Sequence, residues 1–191
     1  FDASYEPLVT LKNLISVTSI DWGDGTVNTS LSHTYSTPNK FNFTIKGVTS
    51  IGNEAFYNGN SLTSITIPDS VTYIGYDAFR GCSSLASIEI PDTVTSIRSN
   101  AFRGCGSLIN VIIGSNVTDI ESYAFENCYS LASITIPNSV MNIRGSAFYG
   151  CSHLTSITIG NSIMSIESNA FDGCTSLKNV YFKGTKAEWD N

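Results

Sequence analysis

The sequence predicts a β-rich solenoid of parallel strands, entered through a short β-hairpin-like cap. Two observations predict it. Several residue types recur every 23 positions, and each unit carries one short segment with the two-residue alternation of a strand. Phenylalanine falls at Phe56, Phe79, Phe102, Phe125, Phe148 and Phe171, and each is preceded by alanine. Leucine keeps the same step from Leu62 to Leu177, and isoleucine from Ile51 to Ile166. Counted from leucine, five complete units cover 62–176, with partial copies at 48–61 and 177–182. A strict period of this size means that each unit covers the hydrophobic face of its neighbour.

Residues 1–47 do not follow the repeat. They hold two strand-like pieces, 17–22 and 41–46, and a turn signal at Asp24-Gly25, a dipeptide that favours the positive φ angles of a hairpin turn. The first unit of a solenoid leaves an open sheet edge, and this cap is predicted to protect it. Calcium would want several carboxylate oxygens. Asp21 and Asp24 do not match an EF-hand spacing, and turn formation accounts for both. His33 and Tyr35 read as cap packing.

Within a unit, "LTSITIP" (62–68) places Ile65 and Ile67 on one face and Ser64 and Thr66 on the other. Every copy returns in the same direction, so these strands are parallel. Pro68, Pro91 and Pro137, replaced by Gly114 and Gly160, stop them. "VTYIG" (71–75) has apolar residues three apart and reads as extended but bent. "DAFRGC" (77–82) is too short for a stable isolated helix, and a single helical or 3₁₀ turn is predicted there. At the far end, Trp189 is placed over the final repeat. Two aromatics, Phe182 and Trp189, without a complete closing unit predict that more protein follows in the full-length gene. A chain opening at Phe1 reads as a mature or trimmed fragment.

Five cysteines, Cys82, Cys105, Cys128, Cys151 and Cys174, also lie 23 apart. Zinc wants tetrahedral ligands, often in C-x₂₋₄-C pairs, and a straight file supplies none. Neighbouring Cα atoms at a strand spacing of about 4.8 Å fall inside the disulfide window, but parallel side chains do not point at each other. An odd number cannot all pair. A structural ladder of buried free thiols, acting as small hydrophobes, is the predicted arrangement.

Elsewhere the sequence holds two histidines and no Ser-His-Asp order, H-E-x-x-H or phosphate-binding glycine loop. An enzyme needs unlike groups converging in a cleft, and no catalytic set, metal site or cofactor is predicted. The formal net charge is −6, with only 14% charged residues, so a nucleic-acid partner is not expected. No apolar run approaches the roughly 20 residues of a membrane helix, and no membrane insertion is predicted for this segment.

The unit "LTSITIPDSVTYIGYDAFRGCSS" resembles the 23-residue leucine-rich repeat of BspA-type bacterial surface proteins. The likeness runs over 48–182, and "VYFKGTKAEWDN" (180–191) resembles the segment that commonly follows the last such repeat. It implies a curved, right-handed leucine-rich-repeat solenoid on a secreted or cell-wall protein, with a role in adhesion. The W-G-D-G … H-x-Y … F-x-I-x-G order of the cap is similar to part of a PKD-type β-sandwich, and is far too short for the whole of one.

Candidate binding residues are sought where columns vary. One turn column runs Tyr57, Arg80, Arg103, Glu126, Tyr149, Asp172, with like charges adjacent at Arg80 and Arg103. Another runs Gly52, Gly75, Arg98, Glu121, Arg144, Glu167, an alternating-sign ladder that serves register or solvation. The outward strand face is made mostly of small polar residues, Ser, Thr and Asn, and departs from that at Glu89, Ile112 and Tyr181. The leading expectation is a non-enzymatic extracellular recognition or adhesion module that binds a host or matrix protein or glycan through the solenoid surface. Its rival is a passive spacer that displays another domain.

Overall fold

Each 23-residue unit makes one turn of a solenoid, and the computed structural model describes residues 8–10, 13–22, 25–30, 32–34 and 41–189. Two parallel β-ladders run along it. The front side stacks Leu62–Thr66, Ser87–Glu89, Asn110–Ile112, Ser133–Thr135, Ser156–Ile159 and Asn179–Phe182, with strand pairing between the second and third and among the last three. Its register sets each residue on its repeat equivalent, as in Ile88 on Val111 and Ile134 on Ile157. Alternation puts Ile65, Ile88, Val111, Ile134 and Ile157 inside, while Ser87, Glu89, Asn110 and Ile112 face out.

The bent "VTYIG" segment contributes a two-residue strand to every turn. These strands, from Ser50–Ile51 through Tyr73–Ile74 to Ser165–Ile166, form one continuous parallel back sheet. Ile51, Ile74, Ile97, Ile120, Ile143 and Ile166 lie in register along it.

The third side departs from the helical or 3₁₀ turn expected at "DAFRGC". Only every second N–H bonds within its own unit: Ala78, Arg80 and Cys82 donate to the carbonyls of Gly75, Asp77 and Phe79. The N–H groups between them cross to the next unit, from Asp77 to Ser99, Phe79 to Ala101 and Gly81 to Arg103. A helix keeps all its donors along its own axis. Here residues with positive φ, Asp77 at 55° and Gly81 at 73°, rotate alternate donors toward the neighbouring turn. Both left-handed positions recur in every unit, so the turns make a third hydrogen-bonded ladder.

The core between the three ladders is a single cluster. Phe56, Phe79, Phe102, Phe125, Phe148 and Phe171 form a file of stacked rings with centroids 4.9–5.3 Å apart and planes within 4–7°. Each such contact is worth about 0.5–1.5 kcal/mol beyond the area it buries. Hydroxyls add cross-links at the front-to-back corner, where Ser70, Thr93 and Ser139 donate to the carbonyls of Val48, Val71 and Val117.

The N-terminal strands close one end of both ladders. Phe41–Lys46 pairs parallel with Leu62–Thr66 and antiparallel with Ser19–Asp21, which turns back onto Val27–Asn28. Leu14–Ile15 pairs antiparallel with Ser50–Ile51 and ends the back sheet. Trp22 is fully buried and its indole Nε1 donates to Asn28 Oδ1, at 3.2 Å. Asp21 lies in a strand of the hairpin. Asp24, Tyr35 and the side chain of His33 lie outside the described residues.

Candidate binding surface

The front face is a trough. One depression of about 360 Å³ is lined by Ser64, Thr66, Asp69, Ser87, Glu89 and Pro91. A second, of about 340 Å³, shares Asp69, Glu89 and Pro91 and extends to Ile112. A third, of about 530 Å³, continues from Ile112 over Ser133 and Thr135 to Lys183. The volumes suit a small ligand. The lining is mostly hydroxyls, amides and aliphatic edges, and nothing in it pairs a nucleophile with a base. Glu89 and Ile112 both stand in this trough, exposed, and Tyr181 is 56% exposed at its far end.

The turn side carries a different surface. Arg80 lies over the ring of Tyr57 at 5.5 Å and bonds Asp77 at 3.1 Å. In the next turn, Arg103 lies over Tyr123 at 5.6 Å and meets Glu126, with Nε–Oε2 at 2.9 Å and Nη2–Oε1 at 3.3 Å. The first is an ion-pair contact and the second an aligned hydrogen bond. The adjacency of Arg80 and Arg103, unhelpful in the bare sequence, is thus resolved by giving each guanidinium its own ring and its own carboxylate. Glu126 is buried by this arrangement, and Tyr149 follows it in the same column, 40% exposed.

The charge ladder closes as two pairs. Arg98 bonds Glu121 at 2.7 Å, and Arg144 bonds Glu167 at 2.8 Å and Asp119 at 3.4 Å. Glu121 turns its other oxygen to the Ser99 N–H and hydroxyl. Arg98 also lies over Tyr73 and Tyr76, at 5.5 and 5.8 Å. The Arg144 guanidinium and the Gly145 N–H hold the Glu167 carboxyl below the usual carboxylate range.

The five cysteines stand in single file, all buried and all free. Each Sγ donates to a phenylalanine carbonyl of the preceding unit: Cys82 to Phe56 at 3.1 Å, Cys105 to Phe79 at 3.2 Å and Cys128 to Phe102 at 3.3 Å. Cys151 and Cys174 repeat the bond to Phe125 and Phe148. Burial pushes the Cys82 thiol up to about 12 and raises Cys105 and Cys128 as well. Among the described residues no group of three or more His, Cys, Asp and Glu side chains could hold a metal ion.

Six copies of the BspA type leucine rich repeat region match residues 49–178, on the columns whose stacking makes this core. The chain belongs to the BspA-type leucine-rich repeat family. Among solved structures, this BspA-type repeat chain is similar to the T. pallidum leucine-rich repeat protein, with a TM-score of 0.69 and 30% identity over 74% of this chain and 76% of that one. It is similar to a leucine-rich repeat protein from Bacteroides ovatus, at TM-score 0.58 and 30% identity over 87% of this chain and 52% of that one. A leucine rich cell surface protein from Faecalibacterium prausnitzii matches at TM-score 0.53 and 26% identity, over 77% of this chain. The chain spans 61% of the F. prausnitzii structure and about half of the B. ovatus one. No curated protein matches it.

Sequence reasoning named Tyr57, Arg80, Arg103, Glu126 and Tyr149, which the structure gathers on one edge, and Glu89, Ile112 and Tyr181, which it sets on another. It missed Tyr76 and Tyr123, which share the turn edge, and Tyr129, 49% exposed on the same side of the repeat. The signal was present: each is a tyrosine in a column otherwise filled by Ser, Asn, Asp, Glu, Gly or Thr.

Proposed function

We propose that this BspA-type chain is a non-enzymatic recognition module of a secreted or cell-surface bacterial protein, binding a protein or glycan outside the cell. One observation carries the reading. The inward columns of Ala, Phe, Leu, Ile and Cys are nearly invariant from unit to unit, while turn positions such as Tyr57, Arg80, Arg103, Glu126, Tyr149 and Asp172 differ from one unit to the next. A lattice that fixes its interior and varies its surface is built to present particular side chains, which a mere spacer does not require. The description of the F. prausnitzii relative as a cell surface protein supports the location. No helix among the described residues is long and apolar enough to cross a membrane. The N-terminal strands, similar in sequence to part of a PKD-type domain, serve as the edge cap.

The test is an array of purified extracellular proteins and glycans probed with the intact chain. Saturable binding to a defined subset is expected. Binding to none of them, with the fold intact by circular dichroism, would favour the passive spacer.

A further inference from the structure

Four outward tyrosines of the repeat region gather on the turn side, while Tyr181 stands apart on the front strand face. Tyr57, Tyr76, Tyr123 and Tyr149 are each 40–43% exposed, and they occupy columns where other units carry small or charged residues. Packing does not demand them. Tyr123 makes the point most sharply, because its backbone is left-handed at φ 61°. The equivalent positions hold Glu54, Asp77, Asn100, Ser146 and Asn169, all at φ 55–59°. Asn and Asp tolerate this conformation because their short polar side chains bond locally, whereas a bulky aromatic there is strained. An exposed, strained ring that the core does not need points to selection for what it touches outside.

The rings and arginines form one connected surface. Arg80 lies on Tyr57, Arg103 on Tyr123, and Arg98 on Tyr76. Successive turns are bonded directly beneath them, Gly81 N–H to the Arg103 carbonyl and Asn127 N–H to that of Tyr149. The guanidinium groups are held by rings and carboxylates before any partner arrives, so little side-chain freedom is lost on binding. Tyrosine and arginine are the residues that dominate protein interfaces.

The same geometry selects the class of partner. Asp77, Glu121 and Glu126 already neutralise Arg80, Arg98 and Arg103, so the patch offers no net positive field to a polyanion. Guanidinium groups cover faces of the Tyr57, Tyr76 and Tyr123 rings that a sugar would stack upon. What remains is a rigid, near-neutral, amphipathic surface with spare guanidinium N–H donors. Resting on the recognition reading above, we infer that this turn edge, rather than the front trough, is the binding surface, and that it takes a folded protein presenting apolar side chains and carbonyl or carboxylate acceptors.

Tyr123→Asn tests it, since asparagine suits the left-handed backbone and already occupies the column at Asn100 and Asn169. Wild type, Tyr123→Asn and the front-trough variant Ile112→Thr are passed over two immobilised panels, purified extracellular proteins and glycans. Melting temperatures are measured alongside. Expected are protein binding that Tyr123→Asn weakens roughly tenfold or more, a melting temperature for that variant equal to or above wild type, and no effect of Ile112→Thr. Binding confined to glycans, or protein binding lost with Ile112→Thr and kept with Tyr123→Asn, would overturn the assignment and leave the recognition reading standing. Binding to neither panel would overturn both.

Discussion

Glu126 of one turn receives Arg103 of the turn before it, with Nε 2.9 Å from Oε2. The Glu126 side chain is 9% exposed and that of Arg103 35%. Removing either partner therefore has unequal consequences. Arg103→Ala leaves a nearly buried carboxylate without its counter-charge, while Glu126→Ala frees an arginine that solvent and Tyr123 still accommodate. Loss of a buried partner costs about 3–5 kcal/mol, and the arginine's exposure reduces this to roughly 1–3 kcal/mol for Arg103→Ala. Glu126→Ala is expected to cost less. Urea denaturation of both variants and the double variant checks this, the double falling short of the sum because the two residues act as one unit.

The phenylalanine file predicts a gradient along the molecule. Phe102 is fully buried between two stacked rings, so Phe102→Ala should cost about 3–5 kcal/mol. Phe171 stacks on one ring only and is half-buried. Phe171→Ala should cost clearly less, and hydrogen exchange should show its effect confined to the last two turns, because each unit contacts only its neighbours. Equal losses at both positions would contradict nearest-neighbour stacking.

The core was legible because a period of 23 fixes, at a stroke, which residues share a column. Front strands, inward isoleucines and the cysteine file all follow from it. The third ladder was not legible. Its signal is the recurrence of residues that accept positive φ, at Asp77 and Asn100 and again at Gly81 and Gly104, and read singly each looks like an ordinary helix-turn residue. Only the cross-turn bonds, such as Phe79 N–H to the Ala101 carbonyl, show that the backbone alternates and does not coil. The proposed binding edge was half legible for a similar reason. Columns locate Arg80 and Tyr57 as neighbours, whereas Arg103 reaches Tyr123 diagonally, across both turn and position.

Glu167 predicts an acid limb to the stability curve. The hydrogen bond from Arg144 and the N–H of Gly145 lower its pKa in the folded chain. A carboxyl depressed in the folded state stabilises above its unfolded value, about 4.3, and loses that contribution as pH falls through the folded one. Melting temperature measured from pH 7 downward should fall less steeply below about pH 4.5 for Glu167→Gln than for wild type, the two curves converging in acid. The group is exposed, so the separation at neutral pH should be small. Parallel curves would mean that the pair contributes nothing to folding.

The thiol file predicts silence at neutral pH and instability in base. Cys82, Cys105, Cys128 and Cys151 are inaccessible, and Cys174 is 8% exposed at the last complete turn. Each protonated thiol donates to a phenylalanine carbonyl, so ionisation removes a donor and strands a charge in the core. Without reductant, a disulfide reagent at pH 7 should find no fast-reacting group in the native chain and five in denaturant. On slow labelling, Cys174 should react first, as the terminal turn frays. For Cys82 the folded pKa, about 12, lies above the unfolded value of about 8.5, so its stabilising contribution is complete below the latter and lost progressively above it. Wild type should therefore lose stability between about pH 9 and 12, and Cys82→Ala should lose less over that interval. A native count above one at neutral pH, or identical alkaline limbs, would show that the sulfurs are not sealed in the core.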